Sequence, residues 1–181
     1  MSRLLVCVLL VYLSSAQVPD IRYWNRNGLQ WSDFRCQVPA QAKDTLAVSY
    51  VGIDYRMHAV EDSFYYSVVP QFRRDLSWAR VKTVYNLQHE QLHFDLAEYM
   101  ARRIRKSLMA SQVNYHTYRQ TEQEVKHLLD SLQYWQDRYD RETQFGRQTE
   151  LQIYWNDSVH KILEKESAFT DTLIRKNSRL D

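Results

Sequence analysis

In the first half of the chain, hydrophobic and polar residues alternate with a period of two, the pattern of half-buried β-strands. Val51, Ile53, Tyr55 and Met57 alternate with Gly52, Asp54, Arg56 and His58, and Phe64, Tyr66 and Val68 alternate in the same way farther along. Residues 58–63 can connect the two runs as a hairpin loop. The pattern predicts a small antiparallel sheet. Trp24, Trp31 and Phe34 are expected to lie between this sheet and the helices.

After Asp75 the hydrophobic residues recur at spacings of three and four, which is typical of amphipathic helices. The first predicted helix covers about residues 78–109, with Asp75 or Ser77 as its N-terminal cap. Further helices are predicted over residues 113–139 and 149–164, while the last dozen or so residues are polar and expected to fray. This order of elements predicts an α+β domain: a small antiparallel sheet, one long helix and two further packed helices.

The N-terminus has the features of a secretory signal peptide. Arg3 precedes an apolar run at residues 4–13, and the small residues Ser14-Ser15-Ala16 form a cleavage site. We expect residues 1–16 to direct export to the periplasm or the extracellular space, leaving residues 17–181 as a single domain. Cys36 would then have no second cysteine, so no internal disulfide is expected.

Charge and hydropathy limit the partners. A formal net charge of +2 gives no basic excess of the kind that nucleic-acid-binding domains carry. No later segment reaches the roughly 18 apolar residues of a membrane span, so stable membrane insertion is not expected. The basic run formed by Arg102, Arg103, Arg105 and Lys106 is interpreted as a solvated helix face. The oligomeric state is left open.

The long predicted helix contains an HExxH motif, formed by His89, Glu90 and His93. Residues four apart lie about 40° apart around a helix, so both imidazoles point to the same side and can bind one zinc ion. Glu90 projects to the neighbouring side, where it can take a proton from water as a general base. The alternative is a polar helix face that happens to carry two histidines; the absence of Pro and Gly between residues 71 and 145 favours the motif helix.

A hydrolytic zinc site needs a third protein ligand. Glu98 is expected to lie on the other side of the helix, about 180° from His89, and is interpreted as a structural carboxylate. The segment from Tyr139 to Thr143 precedes a predicted turn, and we favour Glu142 from it as the third ligand, with Asp140 second. The alternative is that Asp140 and Thr143 only cap a helix end.

The segment from His89 to Glu98, followed by Ala101-Arg102, resembles the central block of a bacterial secreted group, domain of unknown function family 922. Looser resemblance is carried by Trp31-Ser32-Asp33-Phe34, Ser77-Trp78, Tyr139-Asp140-Arg141-Glu142-Thr143, Gln152 and Trp155. The resemblance implies an exported zinc-dependent protease. It also implies a histidine two positions after Thr143, where this chain has Phe145.

Together these features predict a zincin-like metallopeptidase. His89, His93 and Glu142 would bind Zn²⁺, Glu90 would be the catalytic base, and a protein or peptide would be the substrate. An edge strand of the predicted hairpin could align an extended peptide. Phe145 favours a second hypothesis, a non-catalytic envelope protein that keeps the scaffold for binding or assembly. A metallohydrolase that acts on a non-peptide bond is a third.

Overall fold

The computed structural model describes residues 18–177, and the predicted signal peptide lies outside them. The elements follow the predicted α+β order. The strands are β1 (Ile21–Tyr23), β2 (Ala47–Val48), β3 (Val51–Val60), β4 (Ser63–Arg73), β5 (Trp78–Ala79) and β6 (Leu173–Asn177), and the helices are α1 (Val84–Ala110), α2 (Tyr118–Thr143) and α3 (Thr149–Lys165). Short 3-10 helices lie at Trp31–Asp33 and Ser167–Phe169.

The main sheet is built on the predicted β3–β4 hairpin, which is confirmed. β4 pairs with β3 from one end to the other, and its second edge pairs with β1 and β6. The turn consists of Glu61 and Asp62 rather than residues 58–63, because pairing continues to Val60 and Ser63. Within residues 18–177, the edge of β3 that faces away from β4 has no partner strand.

The C-terminal residues form a strand as far as residue 177, so the prediction that they fray is wrong there. β6 pairs antiparallel with β4, and its Ile174 is buried in the core beside Phe64. The flanking residues Leu173 and Arg175 are exposed. One buried side chain in a polar segment is too weak a pattern to predict a strand, and the pairing with β4 supplies the rest.

α1 begins at Val84, later than predicted. Thr83 is its cap, since its Oγ1 accepts a hydrogen bond from the Asn86 amide at 3.1 Å. Trp78 and Ala79 form β5, which pairs with β2 in a separate two-stranded sheet. This ribbon holds the chain before β3 alongside α1, where Ser49 Oγ donates to the Glu90 carbonyl at 3.4 Å.

α2 also begins later than predicted, because Asn114 and Thr117 form a capping turn. The Asn114 amide donates to Thr117 Oγ1 at 3.0 Å, and the Thr117 amide donates to Asn114 Oδ1 at 3.1 Å. The helix continues to Thr143, beyond the predicted end at residue 139. α3 agrees with the predicted third helix to within one residue. None of the helices in residues 18–177 has the length and apolar character needed to cross a bilayer.

α1 lies at the centre of the domain, in contact with β4 on one side and with α2 and α3 on others. Phe72 of β4 packs against Phe94 of α1, with ring centroids 5.8 Å apart. Phe34 is buried in the same cluster and Trp24 and Trp31 pack against it, as predicted. The helix that carries the HExxH motif therefore packs against the sheet and against both other helices.

Glu98, Arg102 and Arg105 form a charged cluster inside this core. Arg102 Nε lies 2.6 Å and Arg105 Nη1 3.2 Å from Glu98 Oε1, and all three side chains are almost fully buried. Arg105 also donates to the carbonyls of Val68 and Phe169. The interpretation of Arg102 and Arg105 as a solvated face is wrong, while the structural role expected for Glu98 fits its contacts.

We expect Glu98→Leu to lower the free energy of unfolding by about 3–5 kcal/mol, because it leaves two buried guanidinium groups without a carboxylate. Urea unfolding followed by circular dichroism measures the change. The matched control is Lys126→Ala, which removes an exposed ion pair with Asp130 and should change stability by about 0.5 kcal/mol or less. Equal effects of the two substitutions would contradict a stabilising role for the buried cluster.

Candidate metal centre

α1 presents its motif residues in its N-terminal half. His89 and His93 lie on the same face, with ring centroids 5.0 Å apart and ring planes close to perpendicular. His89 and Glu90 are buried, and His93 is half-buried. The relation that the four-residue spacing predicts between the two imidazoles is present in the structure.

Asp140 of α2 joins the two histidines. Its Oδ1 lies 3.2 Å from His89 Nε2 and 3.1 Å from His93 Nε2. One nitrogen from each ring and one carboxylate oxygen lie within 4.8 Å of one another, so His89, His93 and Asp140 could together hold a metal ion. Two nitrogen donors and one oxygen donor match the ligand types of catalytic zinc sites.

The sequence favoured Glu142 over Asp140, and the structure does not place Glu142 in this cluster. Glu142 Oε1 accepts a hydrogen bond from Arg138 Nε at 2.7 Å, and its Oε2 accepts one from Trp155 Nε1 at 2.9 Å. Two residues turn a helix by about 200°, so Asp140 and Glu142 point to different sides of α2. Asp140 therefore replaces Glu142 in the candidate ligand set.

Two glutamine side chains fix the protonation of the imidazoles. Gln152 Oε1 lies 2.8 Å from His89 Nδ1, and Gln136 Oε1 contacts His93 Nδ1. Gln136 Nε2 donates to the His93 carbonyl at 2.9 Å, which determines the orientation of that amide. An amide oxygen can only accept, so each Nδ1 carries the proton and each neutral imidazole has a lone pair at Nε2.

As a result, His89 Nε2, His93 Nε2 and Asp140 Oδ1 all direct lone pairs at the same point, with no proton between them. Asp140 Oδ1 is a buried oxygen and receives no hydrogen bond. A buried carboxylate oxygen facing two lone pairs is unfavourable unless a cation or an additional proton lies among them. The arrangement thus fits a metal ion in its donor set and in its unsatisfied oxygen.

The electrostatics favour positive charge at this point. Burial lowers the pKa of His93, but the Asp140 carboxylate, which accepts a hydrogen bond from the ring once the ring is protonated, raises it by more, aided by Glu90 and Gln136, so the net shift is upward. Burial raises the pKa of Asp140, but pairing with protonated His89 and His93 outweighs this and holds the pKa well below its usual range. Protons and metal ions therefore compete for the same three groups.

Tyr139 forms the floor of the cluster. Its buried ring stacks on the His89 ring at 4.7 Å and meets the His93 ring edge-on at 5.0 Å. Its hydroxyl donates to Gln152 Oε1 at 2.7 Å, which helps to hold that amide against His89. The sequence analysis placed Tyr139 at the start of the segment before the turn and gave it no contact with the histidines. The spacing of Gln136, Tyr139, Asp140 and Thr143 on one helical face was the signal available.

The turn after α2 packs directly on the ligand set. Gly146 has a φ of 78°, and a Cβ atom there would lie 3.3 Å from His89 Nδ1. The Gly146 carbonyl accepts a hydrogen bond from the Tyr85 hydroxyl at 2.6 Å, which ties the turn to the start of α1. Glycine is favoured at this position because the backbone is left-handed and because the chain comes close to the imidazole.

An open cavity of about 820 Å³ surrounds the cluster. It lies among α1, the end of α2 and the strand segment at residues 44–52. Glu90 lines it, and within residues 18–177 the Glu90 carboxylate makes no hydrogen bond or ion pair. Arg147 lines it as well, and its guanidinium likewise has no hydrogen-bond or ion-pair partner in the described part of the chain.

A family model described as "Bacterial protein of unknown function (DUF922)" matches residues 70–146. The segment includes the motif on α1 and Asp140 on α2, and the match confirms the family resemblance inferred from the sequence. The description assigns no activity to the family. No curated protein and no solved structure matches the chain.

We expect Asp140→Ala to remove most divalent-metal binding, as His89→Ala and His93→Ala should, because two remaining donors cannot hold the ion. Glu142→Gln is the matched control: it neutralises a carboxylate two residues away and should leave metal affinity unchanged. Competition with a chromophoric chelator measures the affinities. Loss of binding in Glu142→Gln with retention in Asp140→Ala would restore the assignment made from the sequence.

Gln136→Leu and Gln152→Leu should each weaken metal binding by about 10–100-fold, since each imidazole loses the acceptor that fixes its tautomer. Isothermal titration with zinc, together with the thermal unfolding midpoint of each metal-free variant, separates this effect from loss of folding. Affinity equal to that of the unaltered chain would show that the amides do not tune the histidines.

Proposed function

We propose that this chain is an exported, zinc-dependent peptidase with a zincin-like arrangement of its motif helix. The observation that carries the proposal is the convergence of His89, His93 and Asp140 beside the Glu90 carboxylate in an open cavity. Two imidazoles and one carboxylate are the ligand types zinc takes in hydrolases, and three protein ligands leave a position for water. Export rests on the signal-peptide pattern at residues 1–16.

Zinc bound at the cluster would supply the positive charge that makes water a stronger nucleophile and the substrate carbonyl a stronger electrophile. Glu90 takes the proton from the attacking water as the new bond forms between oxygen and the carbonyl carbon. When the carbon–nitrogen bond breaks, Glu90 gives that proton to the departing amine. Its carboxylate is available for both transfers because it has no hydrogen-bond or ion-pair partner within residues 18–177.

The cavity wall formed by the strand segment supports an extended peptide as substrate. The backbone carbonyls of Leu46 and Tyr50 accept hydrogen bonds at 2.8 and 2.9 Å from the chain on their inner side. Because hydrogen-bonding groups alternate between the two edges of a strand, those of Ala47 in β2 and Val51 in β3 face the edge that has no partner strand. A peptide added at this edge would run past the candidate ligands.

Arg147 is the candidate for stabilising negative charge on the carbonyl oxygen. Among the cavity-lining residues that the structure describes, it is the one arginine or lysine. A guanidinium group offers several donors and keeps its charge at any physiological pH. The family resemblance implies a histidine at position 145, but Phe145, which lines the cavity, has no polar group. Another residue must therefore supply the donor.

A non-catalytic envelope protein on the same scaffold is the second candidate, and Phe145 is the feature that favours it. Such a protein would use the cavity and the open strand edge to hold a partner. It would bind metal and peptide without turnover.

Glu90→Gln separates the two functions, because it removes the base while keeping the size and shape of the side chain. We expect metal-dependent cleavage of an unfolded protein to fall by on the order of 10²–10⁴-fold, with zinc content and thermal unfolding nearly unchanged. Cleavage is followed by mass spectrometry of the products, with and without a chelator. Glu150→Gln, an exposed carboxylate at the start of α3, is the matched control and should keep the full rate.

A zinc-loaded chain that cleaves no member of a broad peptide library would remove the peptidase assignment. Partner binding that Glu90→Gln leaves intact would then favour the non-catalytic protein.

A further inference from the structure

Phe145 adopts a backbone conformation that bulky residues rarely take. Its φ is 56°, and its neighbours Gln144 and Gly146 have φ values of 50° and 78°. Only glycine adopts this left-handed region without steric cost. A helix end commonly uses one left-handed residue, and Gln144 already serves as the C-cap of α2. The strain at Phe145 is therefore additional to what ending the helix requires.

The turn fixes this conformation by backbone hydrogen bonds. The Phe145 amide donates to the Asp140 carbonyl at 2.8 Å, and the Gln148 amide donates to the Thr143 carbonyl at 2.9 Å. On its other side the turn is held by Tyr85 and by the close packing of Gly146 on His89. Phe145 is thus attached rigidly to two of the three candidate metal ligands.

Burial does not compensate for this strain. The Phe145 side chain is 65 % exposed and takes part in neither hydrophobic cluster of the described core. It lines the cavity that contains the candidate ligands. A strained, rigidly held and exposed aromatic ring at a cavity is better explained by contact with a ligand than by a contribution to folding.

We propose that Phe145 determines specificity by binding a large apolar side chain of the peptide next to the scissile bond. The proposal rests on the peptidase function above, since it names the substrate class of the same cavity. Leu46, Ala47 and Val51 line the cavity too, so an extended peptide at the open strand edge would place a side chain among apolar groups. A phenyl ring has no conventional hydrogen-bond donor or acceptor, and an aromatic or large aliphatic partner buries the most apolar surface against it.

The test uses fluorescent octapeptides made of Gly, Ala and Ser in which a single Phe is moved through each position, with Phe-free and single-Glu peptides for comparison. Binding is measured by fluorescence anisotropy to zinc-loaded Glu90→Gln protein, which holds peptides without cleaving them. Phe145→Gly and Phe145→Asn are then combined with Glu90→Gln, because both residues tolerate the left-handed conformation. Tyr154→Ala is the matched control, an aromatic side chain of equal exposure that does not line the cavity.

We expect one Phe position to bind tightest, and both Phe145 variants to weaken that peptide by on the order of 10-fold. The Phe-free and single-Glu peptides should be nearly unaffected, and Tyr154→Ala should change nothing. Phe145→Gly should at the same time raise the thermal unfolding midpoint by about 2–4 °C, because it removes the backbone strain. Weaker binding with higher stability is a combination that a purely structural role would not give.

The proposal is overturned if the Phe145 variants bind the preferred peptide as tightly as the Glu90→Gln protein does, or if they lose affinity for all peptides alike. It is also overturned if the Glu90→Gln protein binds none of the peptides. These outcomes are independent of turnover. Selective, Phe145-dependent binding with no cleavage by the unaltered chain would support the specificity role and remove the peptidase. Cleavage that does not depend on the residue at position 145 would support the peptidase and remove the specificity role.

Discussion

The location of two protons determines the chemistry available in this domain. Gln152 and Gln136 each accept the Nδ1 proton of one histidine, so both Nε2 lone pairs face Asp140. Had either amide presented its nitrogen instead, that histidine would carry its proton at Nε2 and would donate an ordinary hydrogen bond to Asp140. Because amides are neutral, they orient the imidazoles without adding negative charge, and Asp140 remains the nearest charge to any bound cation.

The rest of the fold keeps this arrangement in place. The N-terminal half of α1 carries the histidines, while its C-terminal half carries Glu98, Arg102 and Arg105 inside the core. Arg105 bonds the Val68 carbonyl of β4, and Arg102 bonds the Leu163 carbonyl of α3. Since buried ion pairs tolerate little displacement, α1 cannot slide relative to the sheet or to α3 without leaving a charge unpaired.

Sequence periodicity was sufficient for the elements that are long and regular. The strands of the β3–β4 hairpin, the three helices and the paired histidines are each indicated by residue spacing within a single strand or helix. β5 and β6 could not be predicted, because each is short and is specified by its partner strand more than by its own residues. The sequence could not separate Asp140 from Glu142, because the predicted helix ended at Tyr139 and both carboxylates were placed in a turn. Spacing does not give the direction of a side chain in a turn. Because α2 continues to Thr143, Asp140 and Glu142 are two residues apart on a helix and point to different sides of it.

The candidate metal ligands and part of the cavity wall lie on different kinds of structure. The candidate ligands and their glutamine partners all lie on the three helices, where packing fixes side-chain direction. The cavity walls away from the ligands include the segment before β3 and the turn after α2. The side chain of Phe145 on this turn is exposed to the cavity and is not part of the core, so a substitution there need not move the candidate ligands. Phe145 stands at this kind of position, which explains how an aromatic residue can occupy it while the ligand geometry beside it stays intact.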